Sequence, residues 1–102
     1  MIKVRVFKDL DLIKSIEVKG HANFDVIGKD IVCAGVSAIL IGGLNAMEKL
    51  SFSKLDYKMS EGYLLINVAA EEQTQQIAQV MIIQLLTIED SYPKNVHIEY
   101  NQ

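Results

Sequence analysis

Two side chains with the chemistry of acyl transfer lie close together in the sequence, in the stretch KGHANFDVIGKDIVCAGVSAI at residues 19–39. Cys33 is the only cysteine of the chain, and His21 is one of its two histidines. A thiolate is a strong nucleophile, and a neutral imidazole can accept and return a proton. The pair therefore predicts attack by Cys33 on a carbonyl carbon, with His21 as the base and N–H groups around Cys33 stabilising the oxyanion.

The element that would activate Cys33 is a helix that begins just before it. Asp30 is a good N-cap residue, so Cys33 falls in the first turn, where unpaired N–H groups and the helix dipole favour a thiolate. Asp30 could instead orient His21, but its charge near Cys33 would oppose thiolate formation, so capping is the preferred prediction. Ser37, one turn later, could hydrogen-bond the site or its own helix backbone, and Ala34 is a further candidate for a supporting role.

A segment with neither helical nor strand periodicity separates the two reactive side chains. It contains Asn23, Asp25 and Gly28, residue types that favour turns. We therefore predict a mobile surface loop, formed by Ala22, Asn23, Phe24, Asp25, Val26, Ile27, Gly28 and Lys29.

Composition alone leaves less reactive roles open for the same residues. A single cysteine in an apolar helix is more often a small buried hydrophobe, and a lone histidine after a strand is more often a surface residue. His97, on the polar side of the last strand, is predicted to be a solvated surface residue. One thiol and two histidines are too few for a structural zinc site with four ligands, and we expect no metal or cofactor.

The overall composition predicts one folded domain over residues 1–102. Half of the residues are hydrophobic and 23% are charged, which is ordinary for a globular protein. Thirteen acidic against ten basic residues give a net charge of −3, which disfavours direct binding of nucleic acid. The lone cysteine indicates a reducing cytosol, and the charged start MIKVRVFKDLD is not typical of a secretory signal. Residues 31–47 carry no charge but include Ser37, Asn45 and three glycines, so they predict a buried helix rather than a membrane span.

Hydrophobic periodicity predicts two helices and five strands. Helical spacing marks residues 31–50 and 71–90. Alternation with a period of two marks the strands, near residues 2–7, 13–19, 54–59, 64–69 and 96–100. Strands that are apolar on one face, with two helices to cover that face, predict an α+β two-layer sandwich. We expect a mainly antiparallel sheet of about five strands with both helices on one face, in the order β-β-α-β-β-α-β, rather than a doubly wound parallel sheet.

At the reactive residues the sequence resembles a known family, the bacterial ribosomal-processing cysteine proteases called Prp. The resemblance is carried by GHA at residues 20–22 and DIVCAGVS at residues 30–37, and it extends over essentially the whole chain. It implies the fold described above, a homodimer, and removal of a short N-terminal extension from large-subunit ribosomal protein twenty-seven. It also implies that His21 is the general base, that Cys33 is the nucleophile, and that residues 22–29 order over a bound peptide.

A second function of a different class is a non-enzymatic adaptor that binds a ribosomal protein or an assembly intermediate. The first helix would then provide a dimer or partner surface, because its glycines and nearly continuous apolar sequence imply close packing on more than one side. A purely structural dimerisation module is a third alternative. A reactive thiol at Cys33 would distinguish the protease from both, since a buried structural thiol stays inert until the protein unfolds.

Overall fold

Five strands and two helices follow one another in the computed structural model, which describes residues 1–20 and 30–102. The helices are α1 (Ile31–Leu50) and α2 (Glu72–Ser91). The strands are β1 (Ile2–Asp9), β2 (Leu12–Lys19), β3 (Asp56–Ser60), β4 (Tyr63–Asn67) and β5 (Val96–Asn101). The predicted order β-β-α-β-β-α-β is confirmed.

The strands form one mixed sheet with the spatial order β3-β4-β2-β1-β5. Two hairpins are present, because β1 pairs antiparallel with β2, and β3 pairs antiparallel with β4. The hairpins join through antiparallel pairing of β2 with β4, while β5 lies parallel to β1. The α+β architecture is therefore as predicted, with a single parallel pair at one side of an otherwise antiparallel sheet.

One face of the sheet is buried and the other carries charge. Val4, Val6 and Ile16 alternate along their strands with polar residues and are completely buried beneath the helices. On the open face, the Arg5 guanidinium donates to the Glu99 carboxylate at 2.8 Å, and this bond lowers the pKa of Glu99 below its usual value. The hydrophobic effect therefore acts on one face only, which fixes the side to which both helices must pack.

Helix α1 buries a single stripe against the sheet in this chain. The buried positions recur at helical spacing and are Val32, Val36, Leu40, Gly43, Leu44 and Met47. By length and composition alone α1 could cross a membrane, yet core helices of soluble proteins pass the same test, and 33% of its apolar window is buried here. Among residues 1–20 and 30–102, α1 packs along this stripe and, at Gly43, against α2.

The connection between α1 and β3 is held by the carboxylate of Glu71, just before α2. Its oxygens accept hydrogen bonds from the Phe52 N–H at 3.0 Å and from the Thr74 hydroxyl at 2.9 Å. Partial desolvation acts to raise the pKa of Glu71, but these bonds and that from the Ser53 N–H lower it by more, so its pKa lies below the usual value. The connection between α1 and β3, which lies outside the sheet, is in this way fixed to the start of α2.

The two helices cross where Gly43 of α1 meets Met81 of α2. A Cβ atom added at Gly43 would overlap the Met81 sulfur, whereas one added at the neighbouring Gly42 has no heavy atom within 4 Å apart from its own helix. Because Met81 is itself 2% exposed, its side chain has little room to move away. The missing side chain at Gly43 therefore sets how closely the helices approach.

The alanine variants of these two glycines are expected to have opposite effects on stability. Gly43→Ala should lower the free energy of unfolding by up to about 2 kcal/mol, because overpacking costs about 1–3 kcal/mol and helix propensity returns only about 1. Gly42→Ala should raise that of the monomer by about 0.5–1 kcal/mol, since within one chain only the propensity changes. Urea unfolding at one protein concentration measures both, and equal effects would contradict the packing argument.

Candidate active site

Cys33 lies in the first turn of α1, and the structure gives Asp30 the N-cap position. The backbone of Asp30 is extended, with φ −77° and ψ 100°, and its Oδ1 atom accepts a hydrogen bond from the Cys33 N–H at 2.9 Å. Its carbonyl oxygen accepts the first helical bond, from the Ala34 N–H at 3.0 Å. Cys33 is half-buried and packs against the hydrophobic core, so the helix start determines the position of its thiol.

These two bonds bear on where an oxyanion could be stabilised. The N–H groups of Cys33 and Ala34 are both engaged by Asp30, one by its carboxylate and one by its carbonyl oxygen. The amides before Cys33, those of Ile31 and Val32, belong to the first-turn set that a helix leaves without an intrahelical acceptor. Oxyanion stabilisation by the Ala34 N–H would therefore require a helical bond to open.

A mainly apolar cleft with a volume of about 210 Å³ opens beside Cys33, between α1 and the turn that joins β3 to β4. Ser37 lies one turn below Cys33 and lines the same cleft, which places it within the candidate site. Ala34 is exposed and is not among the lining residues. The other lining residues are Ile2, Val18, Gly20, Val36, Leu40, Ile41, Met59, Ser60, Gly62, Tyr63 and Leu64. Such a cleft can hold an apolar side chain next to the thiol.

Gly20 is a member of the cleft wall whose role the sequence reasoning missed. Its φ is +95°, and a Cβ atom there would collide with the Met1 carbonyl oxygen. Its N–H donates to the Gly62 carbonyl at 2.9 Å, which ties the end of β2 to the β3–β4 turn. Only glycine tolerates this backbone conformation without strain. The residue that precedes His21 in sequence is thereby fixed in the cleft that Cys33 also lines.

Of the remaining histidine and loop residues considered in the sequence, the structure describes only His97. His21 and the predicted loop at residues 22–29 lie outside the described residues. His97 lies exposed on β5, with its Nδ1 atom 3.4 Å from a carboxylate oxygen of Glu89. It is not among the residues that line the Cys33 cleft, in keeping with the surface role predicted for it.

The chain matches the family model described as "Cysteine protease Prp" over residues 1–97. It is 38% identical over 85 residues to the ribosomal processing cysteine protease Prp of Staphylococcus aureus, covering 79% of this chain and 80% of that protein. It is 36% identical over 97 residues to the protein of the same name from Bacillus subtilis, covering 87% of each.

The fold is also that of a solved member of this group. The crystal structure of the essential ribosomal processing protease Prp from S. aureus, in complex with a covalently linked product peptide, superposes with a TM-score of 0.95. The two sequences are 33% identical in that alignment, which covers 99% of this chain and 100% of the other. The similarity thus includes the strands and helices that form the cleft.

The cap at Asp30 predicts a difference between two substitutions of that residue. Asp30→Ala removes the acceptor of the Cys33 N–H and should lower the free energy of unfolding by about 0.5–2 kcal/mol. Asp30→Asn keeps an acceptor of the same shape and should remain within about 0.5 kcal/mol of the wild type, since asparagine caps about as well as aspartate. Urea unfolding compares the two, and equal losses would show that capping is not what the side chain contributes.

Proposed function

This chain belongs to the Prp family of ribosomal-processing cysteine proteases, and from that premise we propose that it removes the N-terminal extension of large-subunit ribosomal protein twenty-seven during ribosome maturation. The observation that carries the proposal is the position of Cys33, in a capped first turn and in the same cleft as Gly20, which precedes His21. A partly exposed nucleophile at a helix start, beside an apolar cleft, suits attack on a peptide bond.

In the proposed reaction His21 takes the proton of the Cys33 thiol, and the sulfur attacks the scissile carbonyl carbon. The tetrahedral intermediate collapses, the C–N bond breaks, and the leaving amine takes the proton from His21. A thioester between Cys33 and the N-terminal product remains. His21 then takes a proton from water, the hydroxide adds to the thioester, and the carboxylic acid leaves as the Cys33 sulfur regains a proton.

A peptide substrate is supported by the solved relative, which was crystallised with a covalently linked product peptide. We place the peptide in the cleft that Cys33 and Ser37 line, with the segment at residues 22–29 ordering over it. Desolvation by such a segment would strengthen the electrostatic interactions at the reacting carbonyl and exclude competing water. Residues 1–102 act in this proposal as one protease domain, in the cytoplasm where ribosomes mature.

We further propose that the chain acts as a homodimer through the outer groove between its helices. Val80 and Ile83 of α2 are 54% and 62% exposed, although both are large and apolar. Gly42 and Ala46 of α1 line the same groove as Val80. A second copy packed there would also bury the uncharged outer side of α1. The apolar composition of this helix favours such burial.

Loss of either reactive side chain is expected to abolish cleavage without loss of the fold. Cys33→Ala removes the nucleophile and His21→Ala removes the base, so each should reduce cleavage of the ribosomal precursor at least about 10³-fold. The assay incubates each variant with the precursor of ribosomal protein twenty-seven from the same organism and determines the product mass. Circular dichroism and urea unfolding establish that the variants are folded.

A matched chemical measurement separates the protease from an adaptor that binds the same protein. An activated Cys33 should react with iodoacetamide in the folded wild type at mildly acidic pH, and His21→Ala should slow that reaction at least about 10-fold. A thiol that reacts only after unfolding would support the adaptor. Full cleavage by folded Cys33→Ala would end the protease proposal.

The proposed dimer predicts that a charge in the outer groove separates the protomers. Val80→Glu should raise the dimer dissociation constant at least about 10-fold, because the carboxylate would have to be buried without a partner. Gln73→Glu adds the same charge at an exposed position of α2 outside the groove and should leave dimerisation unchanged. Sedimentation velocity at micromolar concentration measures both, and a wild-type monomer under those conditions would contradict the proposal.

A further inference from the structure

The two edge strands of the sheet differ in how far their outward backbone groups are already bonded. On β5, the N–H of Val96 donates to the Tyr92 carbonyl at 3.2 Å, and the N–H of Ile98 donates to a Glu89 carboxylate oxygen at 2.8 Å. Side-chain and main-chain groups from the end of α2 therefore cover this edge. Such cover prevents another strand from pairing there.

The direction of the backbone groups of β4 follows from two hydrogen bonds at its ends. The N–H of Gly20 donates to the Gly62 carbonyl, and the N–H of Val68 donates to the Lys14 carbonyl, each at 2.9 Å. Even-numbered residues of this strand therefore direct their backbone groups towards β2. Since successive residues alternate, the odd-numbered residues direct theirs towards β3.

The same alternation identifies the outward groups of β3. Ser60 is opposite Tyr63 and Lys58 is opposite Leu65, so these two residues of β3 bond to β4. Tyr57 and Met59 lie between and beside them and direct their N–H and C=O groups away from the sheet. At the β5 edge the outward N–H groups of Val96 and Ile98 have partners. Among the described residues, the outward N–H and C=O groups of Tyr57 and Met59 have no side-chain partner. The β3 edge therefore offers two donors and two acceptors in a row.

The side chains of Tyr57 and Met59 extend this edge into an exposed apolar surface. They are on the helix-facing side of the sheet, yet they are 43% and 57% exposed because α1 does not cover β3. Ile41 of α1 lies across from them and is itself 41% exposed. Met59 and Ile41 line the Cys33 cleft and also a second cleft of about 490 Å³, to which Tyr57 belongs. Ile41 and Met59 thus connect the cleft beside the thiol to the cleft along β3.

We propose that the main chain of the substrate binds as an added strand on the free edge of β3, hydrogen-bonded to Tyr57 and Met59. Alternate side chains of an extended peptide are about 7 Å apart on one face, so one would enter the Cys33 cleft and the next would enter the second cleft beside Tyr57. The ligand class is an extended peptide with apolar residues at alternate positions. This inference rests on the proposed peptidase function.

Amide hydrogen exchange tests the added strand directly. The probe is a synthetic peptide that spans the junction between the extension and the mature start of ribosomal protein twenty-seven, added at saturation to folded Cys33→Ala. We expect exchange at the Tyr57 and Met59 amides to slow at least about 10-fold, because both gain an acceptor. The matched control is Tyr100, whose N–H has the outward direction on β5, and its exchange should not change.

The outcomes separate this inference from the function on which it rests. If wild-type protein cleaves the peptide but Tyr57 and Met59 exchange at the same rate with and without it, the added strand is wrong and the protease stands. If both amides are protected in the free protein and lose protection on dilution, a second copy of the chain covers the edge, which also overturns the inference. If the peptide is neither bound nor cleaved, the proposed function fails and the inference fails with it.

Discussion

The hydrogen bond from the Cys33 N–H to the Asp30 carboxylate fixes where α1 begins, and the position of the thiol follows from it. A helix starting one residue later or earlier would rotate Cys33 by about 100° around the axis, away from the cleft. The same bond has an electrostatic cost, because the carboxylate opposes a neighbouring thiolate while the first-turn N–H groups favour one. The cap thus determines the geometry of the helix start, and in the proposed reaction activation of the thiol depends on His21.

The close approach of α1 to α2 explains why one side of the sheet is left uncovered. Five strands at about 4.8 Å spacing make a sheet about 19 Å wide between the axes of its edge strands, whereas the axes of two packed helices are only about 8–10 Å apart, so the position of the helix pair decides which edge strand is left exposed. Gly43 brings α1 close to Met81, and therefore away from β3, whose five residues are all exposed. At the other side, Glu89 of α2 reaches the backbone of β5. The position of the open edge beside Cys33 is therefore a result of helix packing.

Local patterns predicted most of the elements, and the failures concern contacts between distant residues. The Asp30 cap and the apolar run after it gave α1 its observed bounds at Ile31–Leu50. Periodicity does not encode which strands from different hairpins pair, so the pairing of β2 with β4 and the parallel placement of β5 on β1 came only from the structure. The bond from Gly20 to Gly62 was missed for the same reason, although a glycine at a strand end is itself a signal for positive φ. The relation of His21 to Cys33 lies outside the described residues and stays a prediction.

Three separated parts of the sequence meet at the candidate site because the sheet order brings them together. Strand β2 is central and pairs with β4, so the end of β2 at Gly20 is held against the β3–β4 turn, and α1 returns from there across the buried face. A peptide bound along β3 would consequently run towards Cys33 rather than past it. Main-chain pairing alone does not discriminate between sequences, because every residue except proline provides the same groups. Discrimination between peptide sequences would then come from the peptide side chains that enter the two clefts lined by Met59. Both clefts are mainly apolar.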